Sequence, residues 1–125
     1  MLPVGLTQSR YPSRATQVIP QFSLFWVAML YDFAQWRGDF AWLRQFMPGV
    51  RRVLEAWLER IDEEGNLHTP AGWNWVDWSS AWRKPPITGP ESGHSELDPD
   101  GLSGINALHF VYILTLAIKL ENGSA

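Results

Sequence analysis

The run PQFSLFWVAMLYDFAQWRGD, from Pro20 to Asp39, sets the architecture. From Phe22 to Trp36 only Ser23, Asp32 and Gln35 are polar, with Gln21 just ahead of them. No strand-like alternation is present, and the run is long enough for several helical turns. A helix that is apolar nearly all round has to be enclosed by other elements. Pro20 suits its first turn, where a missing N–H costs no hydrogen bond. Gly38 suits a left-handed helix stop, and Asp39 an N-cap for the next helix. The flanking periodicity accounts for both residues, so Arg37-Gly38-Asp39 is read as a helix junction rather than an integrin-type tripeptide.

Working outward, a second helix is expected from about Phe40 to Ile61. Leu43, Phe46, Met47, Val50, Val53, Leu54, Trp57, Leu58 and Ile61 recur at i, i+3, i+4 spacing, and the charged residues lie off that stripe. Pro48-Gly49 should kink or break it. Asp62–Leu67, DEEGNL, reads as a turn with Gly65 at its tight point. Residues 1–19, with two prolines and many small polar residues, read as an extended segment. Residues 20–67 then form a helical hairpin and residues 68–100 a long Trp-rich loop. Residues 101–121 hold a last helix, also apolar on most faces. Three helices cannot enclose two that are apolar all round. The missing cover is expected from another copy, another chain, or sequence cut away from this one.

Composition narrows the class. At 125 residues and 46% hydrophobic, the sequence reads as one packed domain rather than a disordered segment. A net charge of −3 with scattered basic residues argues against nucleic acid as a partner. There is no cysteine, hence no disulfide or thiolate site, which is compatible with the cytoplasm. Leu24–Tyr31 is too short to span a bilayer, and Asn106, His109, Thr115 and Lys119 interrupt the final apolar run, so no membrane association is expected.

Gly72–Trp82, GWNWVDWSSAW, places four of the eight tryptophans around one acid, Asp77. Indole faces stack on the C–H face of a sugar ring, and a carboxylate between them can accept hydrogen bonds from two adjacent hydroxyls. A core tryptophan cluster is the commoner outcome for such a run, but an acid buried among indoles is costly without a defined partner. Asn74 is a second candidate for orienting a sugar. His94, Glu96, Asp98 and Asp100 alternate without any metal-ligand spacing, and Pro99 breaks a calcium-loop pattern, so no metal or cofactor is expected. His109 reads as a hydrogen-bonded core residue. His68 sits in a turn with no visible partner. Glycoside hydrolysis needs two carboxyl groups roughly 5 to 9.5 Å apart. No acid pair is organised that way, so no catalytic residue is nominated.

Taken in order, IPQFSLFW (Ile19–Trp26), Gly38-Asp39, DEEGNL, GWNWVDW (Gly72–Trp78) and GINALHF (Gly104–Phe110) resemble the catalytic domain of bacterial α-L-rhamnosidases, glycoside hydrolase family 78. The resemblance implies part of an (α/α)6 toroid, in which an outer ring of helices covers the inner ones. It also implies an inverting hydrolase of terminal rhamnose, and a sugar pocket to which Trp73, Asp77 and Trp78 contribute. The family's acid-bearing Arg-Glu…Gly-Asp motif precedes the region matching residue 1, and its second carboxylate follows the region matching residue 125. The reading is therefore an all-α, partial (α/α)6-toroid-like array, catalytically incomplete by itself. It would bind a rhamnose-type sugar and pair as a homodimer. The alternative is a helical self-association module with no sugar binding.

Overall fold

The computed structural model describes residues 1–76 and 100–123. Among them the architecture is all-α: α1 (Pro20–Arg37), a short α2 (Phe40–Leu43), α3 (Met47–Leu58) and α4 (Gly104–Glu121). α1 begins on Pro20 after an extended Ile19 and ends at Gly38, whose φ of 66° is left-handed. The Gly38 N–H closes the helix on the Ala34 carbonyl, and the Asp39 carboxylate then accepts the Trp42 N–H at 2.9 Å. Glycine makes that reversal without the strain a Cβ would bring.

The second helix is not the continuous rod expected over Phe40–Ile61. α2 lasts four residues, Arg44–Phe46 tightens to a 3-10 turn, and α3 starts at Met47 with Pro48 in its first turn. Pro48 has no N–H for the Arg44 carbonyl, which takes the Met47 N–H instead. α3 also stops earlier than the apolar spacing suggests. Ile61 leaves the helix to form an antiparallel bridge with Leu67 across the Asp62–Gly65 turn, and both Leu58 and Ile61 are exposed.

α1 packs most extensively against α4, with α3 touching both. Each contributes one stripe: Leu24, Val27, Leu30 and Ala34 from α1; Val50, Val53 and Trp57 from α3; Phe110, Ile113, Leu116, Ala117 and Leu120 from α4. The N-terminal segment adds Leu6 to this core. It is tied down by a Gln8–Val18 bridge and by the Ser23 hydroxyl accepting the Thr7 N–H at 2.9 Å.

The opposite stripes stay uncovered. On α1 these are Phe25, Met29, Phe33 and Trp36, the last 84% exposed. On α4 they are Ile105, Leu108, Val111, Tyr112 and Ile118. α4 is long and apolar enough to cross a membrane by length and composition, with mean hydropathy 1.3, despite its four polar interruptions. A third of it, 33%, is buried within this fold.

Candidate functional site

The start of the tryptophan run is pinned to the start of α1. Gly72 adopts φ 147°, and a Cβ there would lie 2.7 Å from the Val18 carbonyl oxygen and 3.0 Å from Pro20 Cδ. That close approach lets the Trp73 N–H donate to the same Val18 carbonyl at 2.8 Å. Only glycine fits where backbone meets backbone in this way.

Next along the chain, Asn74 turns inward and is buried. Its side-chain oxygen accepts hydrogen bonds from the amides of Gln21 and of Asn106, the latter at 3.1 Å. Gln21 also donates to the Asn106 oxygen at 3.1 Å, and Asn106 donates to the Thr69 hydroxyl at 2.8 Å. Four polar side chains thus join the first turns of α1 and α4 to the tryptophan segment. The Gln21 Oε1 is buried without a partner among the described residues, but the bonds made by the Gln21 and Asn106 amide N–H groups tie the three segments together.

Trp75 meets Phe22 of α1 edge-on, with ring centroids 5.6 Å apart and planes at 86°. Beyond it lies a pocket of about 250 Å³. Trp75 and Val76 form one wall, Gln21 and Phe25 of α1 another, and Ile105, Asn106 and His109 of α4 the third. Phe25 and His109 face each other with centroids 4.7 Å apart. Burial pushes the His109 imidazole below its ordinary pKa, so it is neutral near pH 7. No carboxylate is among the described residues that line the pocket.

The expected site residues fare differently. Trp73 is half-buried beside the pocket rather than in its lining. Asp77 and Trp78 lie outside the described residues, as do His94, Glu96 and Asp98. Asn74, a candidate for orienting a sugar, spends its oxygen on Gln21 and Asn106. His109 is not the hydrogen-bonded core residue expected; it is half-buried against Phe25 in the pocket wall. His68 does have partners, namely the Asp62 carboxylate and the Asp100 carbonyl. Sequence reading missed Gln21, Phe25 and Asn106 as site-building residues, while Trp75 was one of the indoles it offered as walls. The available signal was polar side chains in the first turns of two otherwise apolar helices.

No protein-family model matches the chain, and no curated protein does. Among solved structures, the crystal structure of the GH78 family rhamnosidase of Bacillus sp. GL1 superimposes with a TM-score of 0.70 at 29% identity, over 93% of this chain. This chain resembles one piece of a GH78 rhamnosidase. It spans 11% of the length of that enzyme. The rhamnosidase-like arrangement is a partial helical toroid, and it gives context to the uncovered stripes of α1 and α4. The similar segment in the Bacillus protein belongs to a far longer chain.

Proposed function

We propose that this rhamnosidase-like segment binds a rhamnose-type sugar in the aromatic pocket between α1, the tryptophan run and α4. The observation that carries the reading is the pocket itself. Phe25, Trp75 and His109 supply flat walls at one end of a helical array similar to a rhamnosidase, and the Gln21–Asn74–Asn106 amides hold those walls in register. Apolar walls with a few placed polar groups suit a small ligand with one C–H face and one hydroxylated edge. Asp77 follows this wall directly in sequence and is the acid proposed to take two sugar hydroxyls, with Trp73 and Trp78 as further indoles proposed to contact the sugar. The reading is of binding, not hydrolysis. Two flanking carboxylates are required for the latter, and the described pocket lining has none.

Tryptophan fluorescence tests this directly. Titration with L-rhamnose should give a saturable change that L-fucose does not reproduce, and Trp75→Ala or Asp77→Ala should remove it. A flat response up to high millimolar rhamnose overturns the reading.

The uncovered stripes of α1 and α4 favour a second reading, in which they pair two copies of the chain. Symmetric dimers are the commonest closed solution for such surfaces. Sedimentation showing a concentration-independent monomer would exclude it.

A further inference from the structure

We propose that His68 is a pH-operated clasp on the neck of the segment that carries the tryptophan run, and that it closes this neck only as an imidazolium. The chain leaves at Thr69 and returns at Asp100–Leu102. One backbone tie joins these segments, an antiparallel bridge between His68 and Leu102 in which the Thr69 N–H donates to the Gly101 carbonyl at 3.0 Å. The second tie is the His68 ring. Its Nδ1 lies 2.6 Å from the Asp100 carbonyl oxygen, and its Nε2 lies 3.0 Å from the Asp62 carboxylate.

Both partners are acceptors. A carbonyl oxygen has no proton to give. Asp62 is ionised at neutral pH, because His68, the Asn66 N–H and amide, and the Glu64 N–H hold its pKa down to about 2. A neutral imidazole has one N–H and one lone pair, so it can serve only one of the two. The other nitrogen would then present a lone pair to an oxygen. The imidazolium has two N–H groups and serves both.

The surroundings favour that charged form. The shallow cleft around His68 is lined by Glu59, Arg60, Asp62 and Asp100, with Glu63 and Glu64 in the adjoining turn, so carboxylates outnumber the single cation. Consistently, the Asp62 hydrogen bond, then the Asp100 carbonyl, raise the His68 pKa above its ordinary 6.5. A raised folded-state pKa means the clasp contributes fully below about pH 6.5 and is lost as the pH climbs through the raised value.

The clasp touches the pocket through one residue. Thr69, next to His68, accepts from Asn106, which shares the amide network with Gln21 and Asn74. Opening the neck therefore slackens the support of Asn74 and, beside it, Trp75. That effect on sugar affinity rests on the binding reading above; the clasp itself does not.

The test uses the whole chain. Imidazole nitrogen NMR, with His68 assigned by its disappearance in His68→Gln, should show two protonated nitrogens at pH 6 and a titration above 6.5. Asp62→Asn, which leaves His68 in place, should return the titration toward 6.5. Amide exchange at Thr69, corrected for its intrinsic rate, should accelerate at least about fivefold across that titration, and His68→Gln should abolish this pH step. A His68 that titrates at or below 6.5, or Thr69 protection that is level through its titration, overturns the clasp. If the clasp holds and no rhamnose response exists at any pH, the binding reading fails and the clasp stands.

Discussion

Trp57 of α3 and Phe110 of α4 stack with ring centroids 5.7 Å apart and planes 21° from parallel, and both are buried. The pair joins α3 to α4 within the shared core. Trp57→Ala removes the largest fully buried side chain among the described residues. It should cost about 3–5 kcal/mol, the range for deleting a large buried aromatic, read as a lowered urea midpoint. Trp57→Phe should cost much less. Equal losses for the two would mean that the cavity is not the cause.

The Gln21–Asn74–Asn106 network makes a separate prediction. Asn106→Ala strips Gln21 of one acceptor, Thr69 of its donor and Asn74 of one donor. The unpaired buried groups should cost about 1–3 kcal/mol, measured by chemical denaturation. Because Asn74 neighbours Trp75, the native tryptophan emission should shift as well. A stability loss with unchanged emission would separate the network from the pocket wall.

Gly72→Ala places a Cβ against the Val18 carbonyl and Pro20 at a backbone angle that side chains rarely adopt. The strain should cost about 1–3 kcal/mol. It should also lift the tryptophan run off α1 and break the Trp73 N–H bond to Val18. Loss of protection at the Trp73 amide is the check. Gly65→Ala, where a Cβ meets nothing within 4 Å, controls for backbone strain without a close contact.

Arg51 and Glu121 form a two-point ion pair between α3 and the end of α4, at 2.6 and 2.8 Å. Both side chains are well exposed, 58% and 42%. Water and salt screen such pairs, so Arg51→Ala should lower the melting temperature only slightly, and by less still in ~1 M salt. A large, salt-insensitive drop would assign Arg51 a further role in the fold.

Two histidines should pull stability in opposite directions with pH. His109 has a lowered pKa through burial, so its contribution is present above about pH 6.5 and is lost as the pH falls toward the lowered value. His68 has a raised pKa and acts with the opposite sign. In urea titrations from pH 5 to 9, His109→Phe should flatten the acid side and His68→Gln the alkaline side. One variant altering both sides would contradict this division.

Much of the fold was legible locally. Pro20, Gly38 and Asp39 mark a helix start, a stop and a cap by backbone chemistry that needs no neighbours. The break near Pro48 was legible too, although its place, one turn earlier at Arg44–Phe46, was not. The lost carbonyl partner of Pro48 lies four residues upstream, so the distortion falls there.

What the residues determined by themselves was helical type, boundaries at proline and glycine, and an excess of apolar surface on α1 and α4. Tertiary structure decided which half of that surface is covered. Phe22 to Trp36 offers apolar side chains on every face, and periodicity cannot choose among equivalent faces; only contact with α3 and α4 selects Leu24, Val27, Leu30 and Ala34. Tertiary structure likewise brought Gln21, Thr69, Asn74 and Asn106 together from up to 85 residues apart, and gave His68 two acceptors. Hydrogen bonds between distant side chains leave no periodic trace along the chain. They exist because folding removes water from amides that must then find one another.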